Sequence, residues 1–404
     1  MPDIVVSSPS LRGYMAADVL WALIIILTAL FTFSWMQTVK KSDPDKRSPT
    51  IDYFELSGVP LPKSLPNFDL AKAKPRPYRP FRWPFHQTMS LSSLESDWWI
   101  ELESTYHYRV NQRKELYAKH RDAILFCLPG AEAACRELMF MVVQFLCARY
   151  PTHFFFNPLS GMFRNDILGS TYDTNTVESL HFLLDNVPED FLIVLKDEAT
   201  GFYHLKAAVS ASAIGFSLKE KRGKPLHEIH DPVPDYAEKL KPSMDRFFNR
   251  MPIDKPIQRG SWSFEAGQPL YLMADDPAFA LHKRMDPNLD IDEVCLRVDW
   301  QTLRRLPESK AIVFHFKAFF TPVIQLKDEP YVPALISKVL KGAKENIKAY
   351  KGWSHLEHKL LPALDAYAED QVDRGLVPEG WEVRTLDEHP FYPGWKSKWD
   401  WDSE

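Results

Sequence analysis

Apolar and polar positions follow several rhythms along this chain, and each rhythm predicts a different element. Residues 19–39 carry no charged side chain. As a helix rising about 1.5 Å per residue, that run reaches across a hydrocarbon layer about 30 Å thick, which predicts a transmembrane anchor. A cleaved signal peptide is the competing reading; the run exceeds a typical apolar leader and ends in Gln-Thr-Val-Lys-Lys rather than a small-residue cleavage site. Over residues 93–120, Leu94, Trp98, Leu102, Tyr106 and Val110 recur at helical spacing with charges between them, predicting an amphipathic helix. Residues 131–149 are apolar on most sides, predicting a buried helix that stops at Tyr150-Pro151, where proline disfavours the helical conformation of the residue before it.

The middle of the chain changes period. Residues 191–195 and 203–209 are β-prone runs around a connection containing Thr200-Gly201 and read as a hairpin, with residues 211–216 extending the second strand. Residues 293–298 and 311–320 read as further strands, and residues 234–250 as a helix kinked or restarted at Pro242. Late helices are predicted over 330–351 and 354–374, the second opened by a Ser354-His355-Leu356-Glu357 capping box. Helices at both ends and strands between them predict an α+β domain with a mostly antiparallel sheet. The implied organisation is a tail (1–18), the anchor (19–39), a linker (40–88), a globular domain (89–375) and a surface tail (376–404).

Charge orients the anchor. Lys40, Lys41, Lys46 and Arg47 follow it and only Arg12 precedes it, so the positive-inside bias places the main domain in the cytosol, with the endoplasmic reticulum as the expected membrane. Pro75, Pro77, Pro80 and Pro84, interleaved with basic and aromatic residues over 72–84, predict an extended, semi-rigid spacer; its cations serve either as a plain linker or as contacts to anionic headgroups. A net charge of −5 gives no basic face for nucleic acid. Cys127, Cys135, Cys147 and Cys295 show no zinc spacing and fit core packing in a reducing compartment.

Standard dinucleotide, nucleotide, serine-hydrolase and zincin signatures are missing from the chain. The stretch that stands out reads His227-Glu228-Ile229-His230-Asp231-Pro232-Val233-Pro234. Two prolines directly after His230 restrict its backbone, which suits a metal or haem ligand as well as it suits a stiff, solvated loop. His355 and His358 could share a helix face as a metal pair, but no carboxylate at suitable spacing completes the set.

Several segments together give a sharper reading. Leu128-Pro129-Gly130-Ala131-Glu132, Arg149-Tyr150-Pro151, Val187-Pro188-Glu189-Asp190, Ile229-His230-x-Pro-Val-Pro and Gln301-Thr302-Leu303-Arg304-Arg305-Leu306-Pro307 occur in order between about residues 82 and 322. In these segments the chain resembles the haem-dependent oxidative N-demethylase alpha-subunit family, also called the HRQ family. The resemblance implies a PAS-like antiparallel sheet with flanking helices, haem b as cofactor and O2 as co-substrate. It implies removal of a methyl group from an amine, or oxidation of a related secondary-metabolite intermediate, with electrons from a separate flavin or ferredoxin-type reductase.

Carried onto this chain, the resemblance makes His230 the proximal ligand, with His227 in reserve and Asp231, Asp235 or Glu228 holding the other ring nitrogen. Arg259, Trp262, Arg297, Gln301 and Arg305 match positions for haem propionates or a distal pocket. Residues 301–307 read equally as the cap and packing of a short helix. Glu189 and Asp190 read as surface-turn acids or as partners of a cationic amine. Trp300 in place of a basic residue, and Lys317-Ala318-Phe319 in place of Arg-x-Tyr, depart from the pattern and imply a more apolar pocket and a bulkier substrate. Alternative functions are a non-catalytic haem- or ligand-sensing module and a scaffold with a vacant pocket.

Overall fold

A computed structural model describes residues 51–399 apart from residues 87, 235 and 237–240. The predicted anchor at 19–39 and the basic residues behind it lie outside the described residues, among which no helix is long and apolar enough to cross a membrane. Residues 51–399 belong to one compact unit.

Its centre is a seven-stranded antiparallel sheet. The strands are β1 (Ser92–Ser93), β2 (Leu125–Cys127), β3 (Asp190–Lys196), β4 (Tyr203–Val209), β5 (Ile257–Ala266), β6 (Val294–Arg305) and β7 (Ile312–Pro322), in spatial order β1-β5-β6-β7-β3-β4-β2. Valine, isoleucine and phenylalanine dominate β7, which pairs with β6 in unbroken register from Cys295↔Pro322 to Arg305↔Ile312. Around the sheet lie α1 (Tyr106–His120), α2 (Glu132–Arg149), α3 (Leu226–His230), α4 (Lys241–Arg250), α5 (Val332–Lys341), α6 (Glu345–Lys351) and α7 (Glu357–Asp373). The α+β class with a large antiparallel sheet and flanking helices is therefore the observed one.

Two apolar clusters divide the interior. The larger holds Trp262, Trp300 and Phe319 from one face of the sheet together with much of α2. The smaller holds Val194, Leu205, Leu303 and Ile312 from the other face, with Tyr236, Met244 and Phe248 from α4 and the segment before it.

Several local expectations are corrected. The first helix starts at Tyr106 rather than near residue 93, because residues 99–103 are buried on every side and bond elsewhere: Leu102 N–H donates to the Tyr150 hydroxyl (3.1 Å) and Ser104 N–H to the Ala73 carbonyl (3.0 Å). The predicted helix over 330–351 breaks at Gly342, where a Cβ would sit 2.7 Å from the Trp83 ring. The capping box at residue 354 does not form; α7 begins at Glu357 without a side-chain cap. Residues 301–305 continue β6 and form no helix.

The proline-rich stretch is extended but is no spacer. Arg76 pairs with Glu101 (2.8 Å), Arg79 holds Glu329 through two bonds (2.7 and 2.6 Å), and Tyr78 and Phe81 are buried, so these cations face carboxylates and not headgroups. The C-terminal segment locks onto it: Arg79 N–H donates to the Pro390 carbonyl (2.6 Å), and Phe391, Tyr392 and Trp395 are buried.

Candidate functional site

The segment carrying His227 and His230 is strapped to the sheet as a short extra edge. Gly223, in the left-handed conformation at φ +74° that favours glycine, donates its N–H to the Leu205 carbonyl (2.8 Å), and Leu205 N–H donates to the Lys224 carbonyl (3.0 Å). His204 Nδ1 meets the Gly223 carbonyl (2.9 Å), and Pro225 then starts α3. The histidines thus ride on a helix whose entry is fixed by β4.

His230 stands in an environment that leaves one nitrogen for a ligand. Its Nδ1 lies 2.7 Å from the Leu226 carbonyl, which can only accept, so Nδ1 carries the hydrogen and the lone pair is at Nε2. The ring stacks on Tyr236 at 5.5 Å. Burial pushes its pKa down, the Leu226 bond works against that, and the charges of Lys221 and Arg259 lower it further. At neutral pH it is therefore a neutral imidazole oriented by a backbone carbonyl, the usual state of a coordinating histidine. No carboxylate from Glu228 or Asp231 takes that role, and Asp235 lies outside the described residues. The His227 ring packs edge-on against Phe202 (4.8 Å), and its buried Nδ1 has no hydrogen-bond partner.

Opposite α3 is the more open face of the sheet. Side chains alternate along a strand, so register assigns faces. Arg259, Gln301 and Phe316 stand in one row across β5, β6 and β7, Ser261, Asp299 and Ala318 in the next, and Leu303, Phe314 and Leu192 on the other side. Leu303, Phe314 and Leu192 pack in the same apolar cluster as Leu226, Ile229 and Val233, which places this face toward the histidine helix. Arg259, Gln301, Asp299, Phe314, Ala318 and Leu192 are only half-buried. Arg259 lacks a partner for its buried Nε, and burial lowers its pKa.

The remaining expected site residues are placed differently. Arg297 shares this face but lies farther along, donating to Asp299 Oδ1 (2.9 Å) and the Pro269 carbonyl (3.2 Å), with Phe320 beneath it. Arg305 is committed to structure: its guanidinium donates to the carbonyls of Met251 (2.7 Å), Lys310 (3.0 Å) and Phe248 and to the Tyr203 hydroxyl (3.0 Å), clasping the end of α4. Trp262 points to the opposite face, among Phe81, Phe264 and Trp353.

Glu189 and Asp190 are fully buried and not on a surface turn. Asp190 pairs with Arg113 and accepts from the Ser210 hydroxyl (2.9 Å) and the N–H groups of Ala211 (3.0 Å) and Ser212 (2.8 Å), leaving it no capacity for substrate. Glu189 lies 3.7 Å from Lys317, yet neither oxygen has a hydrogen bond, and burial raises its pKa to about 7 against the pull of Lys317 and Arg113. His355 is buried and His358 meets the Asp286 carbonyl (2.9 Å); among the described residues no cluster of histidine, cysteine and acidic side chains could hold a metal ion by itself.

A neutral histidine with its lone pair at Nε2, on a helix packed against a half-open sheet face that carries Arg259 and two phenylalanines, suits a flat, iron-bearing, anionic cofactor better than a bare metal ion. The residues present fit haem on that ground. The family comparison agrees: residues 90–361, more than half of the chain, match the family described as haem-dependent oxidative N-demethylase, alpha subunit-like, and the chain belongs to that family.

Sequence reasoning overlooked β5, whose register places Arg259, although Gln258, Trp262 and Phe264 are buried and Arg259, Ser261 and Ser263 between them are not; the period-two signal was available. It also overlooked Phe314 and Phe316 as the wall of the open face.

Proposed function

We propose that this chain is a membrane-tethered, haem b-dependent oxidoreductase that uses O2 to oxidise a small organic substrate, an N-methyl amine or a related intermediate, with electrons from a separate reductase. The observation that carries the reading is the neutral His230 ring, its Nδ1 fixed by the Leu226 carbonyl and its lone pair left at Nε2, on a helix packed against the half-open face. The strands from β3 to β7 form a five-stranded antiparallel core with α3 and α4 inserted between β4 and β5, which supports a PAS-like description.

Bound haem supplies a redox-active iron at which O2 is activated, and the protein supplies the rest. His230 would hold the iron through Nε2 while its other nitrogen stays bonded to the Leu226 carbonyl. Phe314, Phe316 and Leu192 exclude water from the open face. The Gln301 carboxamide, which makes no hydrogen bond among the described residues, offers a donor and an acceptor to orient substrate, and Asp299 offers a carboxylate to an ammonium group.

The sequence departures bear on this pocket less than expected. Trp300, Lys317 and Phe319 point to the sealed face: Trp300 Nε1 donates to Gln258 (3.1 Å), and Lys317 bridges Glu103 (3.6 Å) and Glu189. Only Ala318 of that group faces the histidine side. Residues 19–39 as anchor and a cytosolic orientation complete the proposal. The test is O2 consumption by the haem-loaded full-length chain with a reductase: amine-dependent consumption supports the oxidase, whereas haem binding without turnover on any N-methyl amine favours the sensing module.

A further inference from the structure

Two cations beside the open face form no ion pair with a carboxylate among the described residues. Arg259 is the first: its Nε is buried without a hydrogen bond, and no described carboxylate forms an ion pair with its guanidinium. Lys351, the last residue of α6, is the second. It reaches over the outer edge of β5, which is free of strand pairing beyond Gln258, and its Nζ donates to the Ser261 hydroxyl (3.1 Å) and the Trp262 carbonyl (2.8 Å) above the Trp262 ring (4.7 Å). Both acceptors are neutral, and one ammonium hydrogen remains.

Arg259 and Ser261 are alternate residues of β5 and share the open face, and Lys351 reaches the Ser261 hydroxyl, so the two cations stand side by side at that edge. Asp299, opposite Ser261 in register, supplies a favourable charge at Lys351 but is already bonded to Arg297, so two desolvated, mutually repelling cations there are costly unless a ligand brings further anions. Arg304 offers the contrast: it too lacks an acid, but it is sealed between the Trp99 ring (4.0 Å) and the Phe54 ring (5.1 Å) in the main core and opens onto nothing.

We infer that Arg259 and Lys351 together seat a pair of carboxylates, those of the tetrapyrrole whose iron His230 holds, so that α6 closes the edge of the cofactor site. The inference rests on the haem reading above. Arg259 offers a planar fork and Lys351 a point charge, which suits two carboxylates on one edge of a ligand.

The test titrates the full-length chain with haem and with its dimethyl ester, in which both carboxylates are blocked, following the Soret band. Haem should bind at least about tenfold more tightly than the ester, one lost charge-assisted contact corresponding to about a factor of ten. Lys351→Met and Arg259→Met should each weaken haem about tenfold, leave ester binding unchanged and leave the Soret position set by His230 in place. Lys351→Arg, which keeps the charge, should retain the preference and exclude misfolding as the cause. Equal affinity for haem and ester in the unmodified chain, or equal weakening of both in the variants, would overturn the inference while leaving the haem reading intact. No Soret band with either porphyrin would overturn both.

Discussion

The two faces of one sheet are built for different ends. On the face toward α2, Trp300, Thr302 and His315 are completely buried, and even Arg304 and Lys317 are sealed, at 1% and 3% exposure. On the face toward α3, the neighbouring positions Gln301, Phe314 and Ala318 alternate with them and remain half-open. A single-residue step along β6 or β7 separates a side chain sealed in the core from one on the half-open face, to which the proposed function assigns the ligand. Stability and function are therefore separable by parity, and substitutions can show it.

The largest effect should come from Trp300→Ala. It removes a fully buried ring, its bond to Gln258 and its contact with Arg76 (4.8 Å), for a loss of about 3–5 kcal/mol in urea unfolding. Next, Lys317→Met leaves buried Glu189 without its nearest cation, while Glu103 keeps its bonds from Thr105, and should destabilise by about 3 kcal/mol at pH 8, less at pH 6 where Glu189 takes up a proton.

The Glu189 carboxyl sharpens the same contrast through pH. Its folded pKa, about 7, lies above its ordinary 4.5 because burial disfavours the charge, so the folded state binds more protons than the unfolded chain between those values. Its contribution to stability therefore falls as pH rises from 4.5 to 7 and stays low above. Glu189→Gln should flatten that slope, stabilising by about 1–3 kcal/mol at pH 8 and by almost nothing near pH 4.5, as read from denaturation midpoints across pH. The smallest effect belongs to the open face: Gln301→Ala should change stability by less than about 0.5 kcal/mol while altering substrate affinity.

Much of the frame was legible from sequence because it is local. The hairpin of β3 and β4, the buried helix ending before Pro151 and the late strand at residue 312 follow directly from periodicity and proline chemistry. The histidine segment was legible through its family resemblance and the prolines that fix it. What escaped detection depends on long-range pairing. The lid-like packing of residues 76–81 against Glu101 and Glu329 has no local signature, and neither does Lys351, which reaches Ser261 from another helix 90 positions away. Trp300 and the pair Lys317 and Phe319 looked like pocket residues because sequence proximity to Gln301 and Ala318 hides parity; only the register reveals that they face away.

The proposed iron ligand is His230 Nε2. The most direct measurement is the absorption spectrum of the full-length chain supplied with haem, beside its His230→Ala variant. A Soret band that is lost or shifted in the variant, with unfolding free energies within about 2 kcal/mol of each other, is the predicted result, since the variant loses one hydrogen bond and the stack on Tyr236. A Soret band identical in position and intensity in both proteins would contradict it and move the ligand to another side chain, His227 first.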